Sequence, residues 1–250
     1  KRMKLNDLSN YLNELLAPEK FNDYCPNGLQ IEGKPIINKI VTGVTASFDL
    51  LEAAHQANAD AILVHHGYFW GNEPAPIIGI KKRRIQFLLQ HNINMFAYHL
   101  PLDAHPELGN NVMLAKRLGL NIKAWTGDKN LLALAELNQE TTLNEFVQLI
   151  HQTLHRAPMV IGDMQKQVTQ VALCTGAAQH FIDQAIAAKV DVFISGEISE
   201  QTVHSARESG VAYIAAGHHA TERYGIQALG EHLAAKFGLQ HEFIDCDNPI

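Results

Sequence analysis

Two short apolar runs in this chain each end in a pair of histidines. Ala59-Asp60-Ala61-Ile62-Leu63-Val64 leads into His65-His66, and Val211-Ala212-Tyr213-Ile214-Ala215-Ala216-Gly217 leads into His218-His219. Apolar runs of this length, set between amphipathic helical patterns, read as strands buried on both faces. That confines the chain to sheets covered by helices. Open α/β sheets bind ligands outside the carboxyl ends of their strands, where both imidazole pairs fall.

The rest of the chain alternates in the same way. Leu5, Leu8, Leu12, Leu15 and Leu16 recur at helical spacing until Pro18, and Asp23-Tyr24-Cys25-Pro26-Asn27-Gly28 reads as a loop of turn formers. Strands are expected at 40–45, 61–64 and 93–98, with helices at 50–57 and 80–91 and a loop from Tyr68 to Pro76. After a helix opened by Gly109-Asn110-Asn111, Thr142-x-x-Glu145 has the form of a capping box ahead of Phe146, Leu149, Ile150 and Leu154. The second half then repeats the order of the first, with strands at 171–174, 191–194 and 211–216, helices at 181–188 and 199–208, a last helix from Ala220 to Lys236 and a closing strand at 241–244. The stretch from Ala59 to His66 aligns without gaps on Val190 to Glu197. Strands alternating with helices predict mainly parallel sheets with right-handed crossovers. The expected fold is α/β: two similar three-layer lobes, with mixed or mainly parallel sheets, from an internal duplication. The first lobe spans 1–125 and the second 126–250, with a metal cleft between them; whether the lobes interweave stays open.

Composition bounds the partners. In 250 residues, 46% are hydrophobic, enough for a full core, and the formal net charge of −6 argues against a surface dominated by phosphate-backbone binding. One basic run, Lys81-Lys82-Arg83-Arg84, reads first as the solvated face of a helix whose apolar side is Ile80, Ile85, Leu88 and Leu89, and second as a nucleic-acid contact. Cys25, Cys174 and Cys246 lie far apart and form no Cys-x-x-Cys, so neither a disulfide framework nor a thiolate zinc site is indicated. No secretory signal is read and no apolar run approaches membrane-spanning length, so the expected location is the cytoplasm with no membrane partner.

Carboxylates stand at regular spacing from the histidines, in His99-x3-Asp103 and His218-x3-Glu222. Imidazole and carboxylate without thiolate suit zinc, iron, manganese or similar divalent ions. There are more candidate donors than one ion uses, which points to two divalent metal ions per chain. If the last helix begins near Ala220, His218 and Glu222 lie one turn apart on one face. Pro101 is expected to interrupt any helix after His99, leaving Asp103 on a rigid loop. Two cations would acidify a metal-bound water to a nucleophile near neutral pH. Glu197 stands where His66 stands in the first half, as a general base, a substrate contact or a helix cap; His105 is a candidate outer partner. Beside the first pair, Tyr68-Phe69-Trp70-Gly71-Asn72 offers an aromatic surface for stacking, with Asn72 as an edge-reader; packing against another subunit is the alternative.

Pro26-Asn27-Gly28-Leu29-Gln30, Val64-His65-His66-Gly67, His99-Leu100-Pro101-Leu102-Asp103 and Gly217-His218-His219-Ala220-Thr221-Glu222 together resemble the signatures of the type-two GTP cyclohydrolase I homologues, YbgI-type bacterial members above all. The resemblance implies two related α/β lobes, a dinuclear metal site and a toroidal homohexamer. It implies metal ligands at His65, His66, Asp103, His218 and Glu222, with His99 and His219 as neighbours; beside these, His99 is a catalytic candidate and His219 a candidate substrate contact. It also implies, by name, hydrolytic opening of a purine ring. The leading expectation is a metal-dependent hydrolase acting on a nucleotide-like small molecule. Two other readings stay open: a non-catalytic metal-binding or regulatory ring, and a ring handling nucleic acid through residues 81–84.

Overall fold

The computed structural model describes residues 2–250. They divide into two compact units, one running up to Leu108 and resuming at Gly225–Asp247, the other Gly109–Tyr224 with Asn248–Ile250. The division thus falls at residue 108 rather than 125, and residues near the end of the chain return to the first unit.

The first unit is a five-stranded sheet in the order Gln240–Phe243, Lys39–Thr45, Ala61–His66, Asn94–Ala97, Gly28–Ile31. The first four strands run parallel and the last is antiparallel to its neighbour. Side chains alternate between faces along a strand. On Ala61–His66, Ala61 and Leu63 therefore pack with Leu5, Leu8 and Leu12 of the helix Leu5–Leu16 and with Ile226, Leu229 and Leu233 of the helix Arg223–Phe237. Ile62 and Val64 pack on the opposite face with Leu50 and Leu51 of the helix Phe48–Gln56 and with Ile85 and Leu88 of the helix Gly79–Gln90. With both faces covered, only the strand's carboxyl end is left to present His65 and His66.

The second unit has a six-stranded sheet, Leu120–Thr126, Leu132–Thr142, Gln167–Cys174, Val192–Ser195, Ala212–Ala215, Met159–Ile161, whose three central strands, Gln167–Cys174, Val192–Ser195 and Ala212–Ala215, are parallel to one another and whose outer pairings are antiparallel. The expected capping box forms: the Thr142 side chain accepts from the Glu145 backbone at 3.1 Å and starts the helix Leu143–Leu154. Phe146, Ile150 and Leu154 of that helix bury against Val171, Leu173, Val192 and Ile194.

Both units rest on one shared local device. Asp60 Oδ2 accepts from the backbone N–H groups of Asn38 (2.8 Å) and Lys39 (3.0 Å). Asp191 Oδ2 accepts from those of Thr169 (2.9 Å) and Gln170 (2.8 Å). The step along the chain from Asp60 to Asp191 is also the step from Asn38 to Thr169 and from Lys39 to Gln170. The registers keep it too: Ile40 pairs with Ala61, and Val171 with Val192. Two α/β units with the same register and the same carboxylate anchor support duplication.

Each anchor ties the entry of one strand to the entry of its neighbour. Removing either carboxylate strands two backbone donors at about 1–3 kcal/mol each. Asp60→Ala and Asp191→Ala are each expected to cost about 3 kcal/mol in chemical denaturation; a loss below about 0.5 kcal/mol at either would refute the anchoring role. Burial alone would raise the Asp60 pKa, but the Asn38 and Lys39 amides and the Lys34 ammonium outweigh it and hold the group below its ordinary value. The folded pKa lies below the unfolded one, so this contribution is present above pH about 4 and fades as acid protonates the folded carboxylate.

Among the described residues no helix is long and apolar enough to cross a membrane, and all three cysteines are free.

Candidate metal centre

In the first unit, three imidazoles gather at strand ends. A ring nitrogen from each of His65, His66 and His99 lies within 4.8 Å of the others. Each ring is held by its Nδ1. His65, fully buried, has Nδ1 2.9 Å from the Tyr98 carbonyl, which can only accept, so the proton sits on Nδ1 and Nε2 is the basic nitrogen. That Nε2 stands 3.4 Å from Asp103 Oδ1. His66 Nδ1 pairs with the Thr45 hydroxyl at 2.9 Å. His99 Nδ1 donates to Asp23 Oδ1 at 2.7 Å.

Asp23 is the organiser of this corner. Its carboxylate also accepts from Asn27 Nδ2 (3.0 Å) and the Leu100 amide (2.8 Å), while Asn27 Oδ1 accepts from the His99 amide at 2.7 Å. Burial would raise the Asp23 pKa, but the hydrogen bond from His99 and the others bring it down to about 2. Burial, with Asp23 alongside, pushes the Cys25 thiol up to about 12, so Cys25 stands here as a neutral thiol.

Helical structure returns at once after His99. The helix Leu100–Ala104 carries Pro101 in its first turn, where a missing N–H costs nothing. The rigid loop expected for Asp103 is thus a helical turn, and the Asp103 amide donates to the His99 carbonyl at 3.1 Å. Trp70, from the expected aromatic loop, stands edge-on to His99 at 5.0 Å between centroids and 6.1 Å from His66. Asn72 lies exposed in the same loop. Lys81 pins that loop, donating to the Pro74 (3.2 Å) and Ala75 (3.3 Å) carbonyls, and Arg84 lies over the Tyr68 ring. The basic run therefore keeps only Lys82 and Arg83 fully exposed.

The second unit carries its own donor pair. His218 opens the one-turn helix His218–Thr221, and its Nε2 lies 3.1 Å from Oε2 of the buried Glu222. The chain breaks at Glu222 before the helix Arg223–Phe237 begins, so the expected single helix is two, yet the one-turn spacing survives. Glu197 Oε1 is 3.6 Å from His218 Nδ1. Gly176, at φ +75°, passes directly under this pair, and its amide donates to Thr221 Oγ1 at 3.0 Å. A Cβ there would collide with the Glu222 carboxylate. This glycine makes room for the His218–Glu222 pair. His219 is buried, and its amide donates to the Ile250 carbonyl at 2.9 Å.

Divalent cations fit these donor sets. Imidazoles oriented through Nδ1 by carbonyl, hydroxyl or carboxylate, with carboxylate oxygens at 3.1–3.4 Å from Nε2 of His65 and His218, suit imidazole–carboxylate coordination. Asp23 and Asn27 were not read from the sequence as part of the site. Within a loop of turn formers their residue types have a sufficient local explanation, and only the strand opposite reveals what they hold.

Fold and donors together define an α/β protein with candidate metal-ligating groups at its strand ends. The family model Duf34/NIF3 (NGG1p interacting factor 3) matches residues 3–249, and the chain belongs to that family. Among curated relatives, a protein of Pseudomonas aeruginosa named GTP cyclohydrolase 1 type 2 homolog is 49% identical over 98% of each chain. One of the same name from Vibrio cholerae is 53% identical over 96% of each. The solved structure of protein ybgI, described as of unknown function, matches with TM-score 0.95 at 48% identity, covering 99% of this chain and 100% of that one. A Thermus thermophilus structure gives TM-score 0.87 at 35% identity over 99% and 100%.

Proposed function

We propose that the chain is a metal-dependent hydrolase with two divalent cations per chain, acting on a nucleotide-like substrate as a cytoplasmic homohexameric ring. The donors are His65, His66 and Asp103 in the first unit and His218 and Glu222 in the second. The observation that carries this reading is the Nδ1 anchoring of His65, His66 and His99, which holds all three rings and, at His65 and His99, keeps the proton on Nδ1 and leaves Nε2 for a cation. Curated relatives named GTP cyclohydrolase 1 type 2 homolog point to a purine nucleotide.

When bound, two such cations supply Lewis-acid charge to a polarised carbon or phosphorus centre and acidify the attacking water. The chain's own residues do the rest. His99, with its Nδ1 proton held by Asp23, accepts a proton at Nε2 and returns it to the leaving group. Glu197 is the carboxylate that meets substrate beside His218. Trp70 offers a face for stacking a base, with Asn72 and His219 as further substrate contacts.

Metal analysis tests the assignment. The parent protein is expected to carry two divalent ions per chain and Glu222→Gln about one; two in the variant would remove Glu222 from the ligand set. Sedimentation of the same samples should show a species several times the 27.7 kDa chain, and a monomer would end the ring reading. Two ions with no turnover across a nucleotide panel would identify a metal-binding assembly in place of an enzyme.

A further inference from the structure

A cavity of about 700 Å³ opens in the second unit next to His218. Its lining is apolar at Pro158, Met159, Ile198 and Ala215, with two charged exceptions, Arg156 and Glu197. That volume and that composition, apolar walls with a few placed polar groups, are those of a small-molecule site.

The two charges line one cavity without pairing. Arg156 donates through Nη2 to the Pro249 carbonyl at 2.9 Å and makes no ion pair among the described residues. An unpaired guanidinium is notable in a chain of net charge −6. Arg156 is also seated by design of the backbone. Gly217, at φ +108°, lies under its stem, and a Cβ there would come within 2.9 Å of both Cδ and Nε. On the other side, the Glu197 backbone carbonyl accepts the Tyr213 hydroxyl, which fixes the strand end that carries the carboxylate. The guanidinium meets only a backbone carbonyl, and Glu197 meets His218 Nδ1 through Oε1 alone, so the cation and the second carboxylate oxygen remain for a ligand.

We propose that this cavity binds a bipolar small molecule, its anionic group on Arg156 and its N–H donors on Glu197, with its apolar body against Met159 and Ile198. The proposal deepens the nucleotide reading and rests on it for one point, that the bound molecule is substrate: the phosphate takes Arg156 and the N–H edge of the base takes Glu197, beside His218.

Titration calorimetry on the metal-loaded protein tests it with four probes: adenosine and guanosine 5′-monophosphates, glucosamine 6-phosphate and glucose 6-phosphate. Arg156→Gln is expected to weaken binding of the bipolar probes about 10- to 100-fold, with Arg156→Lys retaining part of it. Glu197→Gln should weaken those probes but leave glucose 6-phosphate unchanged. Met159→Glu, a change at a side chain 57% exposed, should expel every phosphorylated probe without disturbing the core. Binding of glucosamine 6-phosphate that depends on both charges, with no nucleotide bound, would uphold the cavity and end the nucleotide reading. Parent-like affinity in Arg156→Gln, or no binding of any bipolar probe to the parent, would overturn the proposal.

Discussion

The Asp103→Asn protein is expected to turn over nucleotide at least about a thousandfold more slowly than the parent. An amide cannot replace a carboxylate as an anionic ligand, and a cation at a reacting centre is worth several kcal/mol of transition-state stabilisation. About 4 kcal/mol corresponds to three orders of magnitude in rate. The change is nearly isosteric, and the Asp103 amide bond to the His99 carbonyl is backbone, so the helix Leu100–Ala104 should persist. The informative comparison is with Trp70→Ala, which should raise KM more than it lowers kcat, because stacking is binding energy common to ground and transition states. Unchanged kcat in metal-loaded Asp103→Asn would remove this residue from the machinery.

Gly176→Ala should damage both the second unit and its metal content. At φ +75° an alanine is strained by about 1–2 kcal/mol, and its Cβ would overlap the Glu222 carboxylate and lie 3.3 Å from His218 Nε2. Overpacking of this kind adds about 1–3 kcal/mol, so a total near 3 kcal/mol is expected together with loss of a bound cation. Gly210 is the control. It has φ +79°, but nothing stands within 4 Å of an added Cβ, so Gly210→Ala should show the conformational cost alone. Equal losses at the two glycines, with metal content intact in both, would show that the space above Gly176 is not reserved for the ligand pair.

The alternating core of both sheets was legible because strands buried on both faces leave continuous apolar runs, as at Ala61–Val64 and Ala212–Ala215. The edges were not. Leu120–Thr126 and Leu132–Thr142 pair antiparallel with much of their length in solvent, and the polar tail Asn138-Gln139-Glu140-Thr141-Thr142 carries no apolar signal. Gly28–Ile31 and Met159–Ile161 are too short to show a period. Of the chemistry, the histidines and their i+4 carboxylates stood out because those residue types are costly at buried strand ends unless they have partners. Pro101 misled because a proline that would break a helix interior is at home in a first turn. Asp23 was invisible for a different reason: what it holds, His99, is far along the chain.

The edge strand Gln240–Phe243 pairs with Lys39–Thr45 from the opposite end of the chain, and this has a consequence for synthesis. The central strands of the second unit lie in one stretch, Gly109–Tyr224, so that unit is nearly complete on leaving the ribosome while the first still waits for its outermost strand. At about 5–20 residues per second, the wait from Thr45 to Gln240 is roughly 10–40 s. For that time the nascent chain shows an unfilled backbone edge along Lys39–Thr45, a template for pairing with another nascent copy. The unit begun first thus finishes last, and slow translation between Thr45 and Gln240 would prolong the interval in which two growing chains on one polysome can exchange strands.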